Sequence, residues 1–358
     1  MNYELLMKQC IELAKSGEGE VSPNPLVGCV VLNKNNEIIS TGYHKKYGEN
    51  HAERNALINV SNEQTTGGTL IVNLEPCSHF GKTPPCADLI VEKGIKKVVV
   101  GMKDVNPIVS GNGIRKLRNA GIEVIEGVLE EECKKLNEVF IKNMTQHKTF
   151  VAIKTATTLD GKIATSNGSS KWITSELARE EVRRIRNRYD AILTSSSTIL
   201  ADNPEMRHKN KIIIDRCLKT DFLNNKIYNS GNCYVVYSKN IQSEQLDYAL
   251  NAVKDNNAIK LLPVSEESDK IDLNELLEKL YSLNIMSVLV EAGGNLNGSV
   301  LKYADKIYHF IAPKILGDNT GLSCFNFQKS YSIDDAKLFK FENIKEFSPD
   351  ILLTYSSI

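Results

Sequence analysis

The apolar residues of YELLMKQCIELAKSG recur at the spacing of one helical face, and the stripe stops at Gly17. VGCVVLNKNNEIISTGY reads as two short strands around the polar turn Asn33–Asn36. Helical and strand periods then alternate. A helix runs from about His51 to Val60, followed by the strand GTLIVNLEP and a helix opening near Pro84. The strand KKVVVGM, the helix GIRKLRNAG, the strand IEVIEGV and the helix EEECKKLNEVFIKNM complete the series. Such alternation predicts a three-layer α/β domain with a largely parallel portion of sheet.

The pattern restarts with a strand in TQHKTFVAIKTATTLDGKIA, after a polar joint at Met144–Lys148. The expected domains are therefore residues 1–146 and 147–358. In the second, DAILTSSS, KIIID, CYVVYS and SVLVEAGG read as strands, and SELAREEVRRIRNR and IDLNELLEKLYSLN as helices. The fold expected is two α/β domains, without repeats or low-complexity tracts.

Charge narrows the partners. Lys+Arg 44 against Asp+Glu 44 leaves no basic excess, which disfavours nucleic acid. The first twenty residues mix acids and lysines at helical spacing rather than forming an apolar core, and no apolar run reaches membrane-spanning length. Eight cysteines scattered through a chain of this kind suggest a reducing, cytoplasmic setting, with thiols buried or bound to metal.

EPCSHFGKTPPCADLI concentrates that chemistry. Cys77 and Cys86 are either core thiols, a disulfide or two ligands of a metal. His-Ala-Glu at 51–53 opens a predicted helix, Pro76-Cys77 follows a strand, and Cys86 follows Pro84-Pro85 at another helix start. Zinc favours thiolate and imidazole, and a catalytic site supplies three ligands with a fourth position for water. A helix N-terminus favours the thiolate. His51, Cys77 and Cys86 therefore form a candidate Zn²⁺ site. Glu53 need not be a ligand and is free to move a proton from water to a leaving amine. The order and strand-helix context are those of zinc nucleobase deaminases. His79, two residues from Cys77, would supply a fourth ligand if the metal were structural; an open fourth position would favour catalysis.

The stretch HAERNAL … EPCSHFGKTPPCADLI, with SPNPLVGCVV upstream, resembles the deaminase half of the bifunctional riboflavin-biosynthesis deaminase/reductase family. That family widens the Cys-x-x-Cys spacing of other deaminases and carries the same Thr-Pro-Pro-Cys. The resemblance implies a cytidine-deaminase-like α/β/α domain, the ligands His51, Cys77 and Cys86, and Glu53 as proton shuttle. Asn24, His44 and His79 match positions lining its substrate pocket.

In the second half, VEAGGNLNGSVL places Gly293-Gly294 between a strand and a helix, and TSSSTILADNP sets small hydroxyl residues in an expected loop. Alone these are weak signals of a bound nucleotide. KTATTLDGKIA, SKWITS, DAILTSSSTILADNP, VEAGGNLNGS and IAPKILG nevertheless occur in the order of the reductase half of the same family, whose fold is similar to dihydrofolate reductase. The resemblance implies NADPH contacts at Ala156, Trp172, Thr198, Asp202 and the turn Gly293, Gly294, Asn295, Leu296, Asn297, Gly298 and Ser299. It also implies substrate contacts at Ser170, Arg186, Met206 and Glu291, with Lys154 near the reacting centre. Lys154 and Glu291 are candidates to stabilise or protonate an opened sugar. One segment departs from the pattern: ADNPEMRHKNKIIID has Lys209 where the family has an arginine on the substrate phosphate, leaving Arg207 or Lys209 for that charge. Arg216 stands where a small hydroxyl residue is usual, a position facing the cofactor's ribose phosphate. The implied substrate is a small phosphoribosylaminopyrimidine, and the implied assembly a homo-oligomer, dimer or tetramer.

Overall fold

Strands Gly28–Leu32 and Thr69–Leu74 are buried at every position, as central strands of a sheet covered on both faces must be. The computed structural model describes residues 1–80, 84–106, 110–327 and 332–358, so residues 81–83 of the loop between Cys77 and Cys86 lie outside the described residues. The chain divides into two units, Met1–His147 and Lys148–Ile358.

In the first unit five strands are ordered Ile38–Tyr43, Gly28–Leu32, Thr69–Leu74, Lys97–Met102 and Glu123–Glu126. The first three pair antiparallel and the last three parallel. Helices Ala52–Leu57, Cys86–Glu92 and Asn112–Asn119 neighbour one another in one layer, and Tyr3–Lys15 and Glu130–Leu136 in the other. The result is the expected three-layer sandwich. Gly42 matters to its site: a Cβ there would stand 2.5 Å from the Ala52 carbonyl oxygen. Its absence lets the helix that begins after His51 lie close on the sheet.

The second unit holds a nine-stranded sheet. Its order is Ile259–Val264, Asn232–Ser238, Asn210–Ile214, Ala191–Ser195, Ser287–Val290, Phe150–Thr158, Lys306–Ala312, Asp350–Ser357 and Phe339–Phe347. The first seven run parallel, and the last two add an antiparallel edge. Helices Glu176–Asn187 and Leu273–Ser282 start where Ser175 and Asp272 accept main-chain N–H groups, as N-caps do.

Two expectations need correction. The expected helix over EEECKKLNEVFIKNM is two, Glu130–Leu136 and Glu138–Gln146, broken at Asn137. That side chain is buried and bonded to the main chain of Leu26, outside the helix. The hydroxyl-rich loop after DAIL is instead the helix Ser196–Asp202. Its apolar Ile199 is fully buried, and such packing outweighs the modest helix propensity of serine and threonine.

Candidate active sites

His51 occupies the N-cap of helix Ala52–Leu57 and Cys86 the first position of helix Cys86–Glu92, whose N-cap is Pro85; neither cap residue makes a side-chain capping bond. Cys77 fills that role for the second helix. Its Sγ accepts the Cys86 N–H at 3.4 Å and its carbonyl the Ala87 N–H at 3.1 Å. Two donors that the helix itself leaves unpaired thus fix Cys77 beside Cys86.

The His51 Nδ1 atom lies 3.6 Å from Cys77 Sγ and 3.5 Å from Cys86 Sγ, and the three ligand atoms all fall within 4.8 Å of one another. Tetrahedral zinc, at about 2.05 Å from nitrogen and about 2.3 Å from sulfur, places those atoms about 3.6 Å apart. The donor set fits the ion. Its electrostatics fit too: the Cys77 thiol is held well below its usual value by hydrogen bonds from Cys86 and then His51. Cys86 keeps its proton, pushed up by its bond to Cys77 and by burial. A dication held by these ligands would favour loss of that second proton.

Glu53 is buried on the same helix and is not one of the three ligands. Burial, then the nearby Cys77, pushes its carboxyl up to about 7. The group can therefore give or take a proton near neutral pH, as acid-base work requires.

His44 and Asn24 border this centre. The His44 ring meets that of His51 edge-on, centroids 5.4 Å apart. Asn24 Nδ2 donates to His44 Nε2 at 3.0 Å, and His44 Nδ1 bonds the Asn50 carbonyl at 3.0 Å, so the partners assign the proton to Nδ1. Burial lowers the His44 pKa, which keeps the ring neutral. His79 is exposed and stands outside the ligand cluster.

Sequence reasoning missed several buried polar residues behind the site. Glu75, two positions before Cys77, accepts the N–H groups of Asp104, Gly111 and Ile114 at 3.0–3.2 Å. Asn73 and Asn137 clamp the segment that carries Asn24. A buried Asn or Glu has no spacing signature, so nothing in the sequence singled them out.

In the second unit Lys154 and Ala156, Thr198, and Glu291 lie on or just after the parallel strands Phe150–Thr158, Ala191–Ser195 and Ser287–Val290, respectively. The last of these lies between the other two although it comes after both in sequence, which makes the switch point where open α/β sheets bind ligands. Buried Glu291 is gripped by Arg186, with Nε–Oε1 2.5 Å and Nη2–Oε2 2.9 Å, and by Lys154 Nζ at 3.1 Å. Burial alone would raise its pKa; the charges of Lys154 and Arg186 outweigh that and hold the carboxyl down at about 2. Two cations on one carboxylate leave the triad one positive charge in excess.

Around it, Ala156 follows Lys154 on its strand, and Thr198 shares a hydroxyl network with Ser195 and Ser197 at the start of helix Ser196–Asp202. Ser170 and Met206 are half-buried and Asp202 is exposed. Trp172 is 64% exposed, with the Arg179 guanidinium 4.3 Å from its ring centroid. Arg207 pairs with Glu205 at 2.9 Å and Arg216 with Glu266 at 2.9 Å, while Lys209 is exposed; none of the three joins the Lys154–Arg186–Glu291 cluster.

The turn at 293–299 divides its labour. A Cβ on Gly293 would meet nothing within 4 Å, leaving room for a ligand beside the main chain. Gly298 serves packing instead, since a Cβ there would stand 2.1 Å from the Asn326 carbonyl oxygen. Asn295 and Asn297 bond Asn326 and the Cys324 carbonyl, Ser299 bonds back to the Asn295 carbonyl, and Leu296 packs on the core. Among the described residues, buried Asn297 Oδ1 finds no hydrogen-bond partner. The switch point, the positive triad and the open glycine fit a nicotinamide cofactor.

Comparison with known proteins agrees with both halves. Residues 1–102 match the cytidine and deoxycytidylate deaminase zinc-binding region, and residues 149–353 the RibD C-terminal domain. Riboflavin biosynthesis protein RibD of Actinobacillus pleuropneumoniae is 40% identical, covering 98% of this chain and 94% of that protein. The Escherichia coli (strain K12) protein of the same name is 34% identical over 99% of both. A crystal structure of a diaminohydroxyphosphoribosylaminopyrimidine deaminase/5-amino-6-(5-phosphoribosylamino)uracil reductase from Thermotoga maritima superposes with a TM-score of 0.86 at 39% identity, covering 99% of each chain.

Proposed function

The chain belongs to the RibD family of bifunctional deaminase/reductases in riboflavin biosynthesis, and from that premise we propose the substrates, cofactor and residue roles of its two steps. The first substrate is 2,5-diamino-6-(5-phosphoribosylamino)pyrimidin-4(3H)-one. Water adds at the amine-bearing ring carbon, the C–N bond breaks and ammonia leaves, giving the uracil. Zinc, when held by His51, Cys77 and Cys86, supplies a water acidic enough to be a nucleophile at neutral pH. Glu53 takes the proton from that water and hands it to the departing amine. Asn24, neutral His44 and His79 line the ring's pocket.

In the second step the ribosyl group is reduced to ribityl, giving 5-amino-6-(5-phosphoribitylamino)uracil. NADPH, when bound, supplies the two electrons. Lys154 stands at the opened sugar, and Glu291 holds Lys154 and Arg186 in place while staying ionised. Ser170, Met206 and Arg207 or Lys209 complete the substrate side. Ala156, Trp172, Thr198, Asp202, Arg216 and the 293–299 turn complete the cofactor side. For its role Arg216 must leave the exposed pair with Glu266, which costs little. A cytoplasmic location and self-association as a dimer or tetramer belong to the same reading.

The observation that carries the reading is the convergence of His51, Cys77 and Cys86 with buried Glu53 alongside. Glu53→Gln tests it: ammonia release should fall at least about 100-fold while zinc stays near one per chain. Deamination at the wild-type rate would remove Glu53 from the mechanism.

A further inference from the structure

Asn73 and Asn137 come from distant parts of the first unit, yet both close on the same three residues of main chain. Asn137 Oδ1 accepts the Leu26 N–H at 2.8 Å, and its Nδ2 donates to the Leu26 carbonyl at 3.0 Å. Asn73 Nδ2 donates to that same carbonyl at 2.9 Å, and its Oδ1 accepts the Gly28 N–H at 2.8 Å. Both side chains are buried, at 0% and 2% exposure, so no water substitutes for either. Four hydrogen bonds therefore fix the segment just before strand Gly28–Leu32.

That segment leads into the metal centre on both sides of the clamp. Two residues before Leu26, Asn24 donates to the His44 ring; one residue after it, the Val27 carbonyl accepts the His44 N–H at 2.9 Å. The His44 ring in turn bonds the carbonyl of Asn50, the residue preceding the ligand His51. Hydrogen bonds joined through the main chain of residues 24–28 thus link Asn73 and Asn137 to the pocket wall. Asn73 sits on the strand that leads to Cys77, so one element sets both a ligand and the pocket loop. Asn137 breaks an otherwise continuous helix to reach Leu26. A local rule broken in this way commonly marks a site under functional constraint.

We propose that Asn73 and Asn137 are positioning residues for deamination, holding the Asn24–His44 wall of the pocket in register with the metal ligands. They touch neither substrate nor metal. Removing one amide loosens the wall without altering the ligand set or Glu53. Substrate binding therefore suffers more than turnover.

The inference rests on the deaminase reading, and the test keeps the two apart. Full-length wild type, Asn137→Ala, Asn73→Ala and the near-isosteric Asn137→Asp are compared for zinc content, reductase activity on the deaminated substrate, and KM and kcat of ammonia release. The expected result is a rise in KM of about tenfold in the alanine variants with kcat changed less than about threefold. Zinc and reductase activity should stay at wild-type levels. Asn137→Asp keeps the acceptor for Leu26 N–H but loses the donor to its carbonyl, and should show the same KM-weighted loss. An unchanged KM, an equal loss in kcat, or loss of zinc in the Asp variant would overturn the positioning role. No ammonia release from wild type would instead sink the deaminase reading itself.

Discussion

At the candidate metal centre, Cys77, Cys86 and Glu53 gather acidic groups near His51, with Cys77 held toward its thiolate and Cys86 and Glu53 pushed toward their protonated forms. In the second unit the balance is reversed: Glu291 is already met by Arg186 and Lys154, and the surplus is positive. The first set would hold a cation in the proposed deamination. The second already pairs its carboxylate with two cations. In the proposed reading, one unit relies on a metal and the other on its own side-chain cations. Two reactions can thus share a chain without sharing a source of charge.

Breaking the second pattern should act on reduction alone. Glu291→Gln leaves Arg186 and Lys154 without their buried counter-charge, and reductase kcat/KM should fall about 100-fold while ammonia release is unchanged. Retained reduction would show that the triad is only structural. The same carboxylate makes a pH prediction. Its pKa in the fold is about 2 against an ordinary value of 4.5, so the unfolded chain takes up the proton first as pH falls. The stability it confers is complete above pH 4.5 and is lost as pH falls through about 2. That loss amounts to about 3 kcal/mol. Acid titration of the second unit's unfolding transition should show this slope in wild type and lack it in Glu291→Gln; identical slopes would contradict the assignment. A smaller effect should come from Gly298→Ala, which pushes a methyl against the Asn326 carbonyl and should cost about 1–3 kcal/mol in that unit alone. Unchanged melting would show that the turn yields.

How much of this was legible in the sequence follows from how far each interaction reaches. His51, Glu53, Cys77 and Cys86 stand at helix starts and a strand end, where their residue types carry the chemistry by themselves. The Asn73 and Asn137 clamp was not legible, because its members lie 47 and 111 positions from Leu26 and are ordinary amides. Periodicity likewise found most of the buried strands but passed over Ile259–Val264, Lys306–Ala312 and the C-terminal hairpin. Its edge strand Phe339–Phe347 is mostly exposed and so lacks a clear alternation. The hydroxyl-rich segment after Ser195 was misread as a loop because tertiary packing, not local preference, makes it helical. In the reductase cleft, Lys154, Arg186 and Glu291 were reached through the family resemblance. Their mutual contact is a product of strand order.

The independence of the two charge patterns is tested most directly by chelation. One preparation, stripped of zinc and then reloaded, is assayed for ammonia release from the diamino substrate and for NADPH oxidation with the deaminated one. Stripping should abolish ammonia release reversibly and leave NADPH oxidation intact. Ammonia release from verified metal-free protein, or loss of NADPH oxidation along with the zinc, would contradict the account.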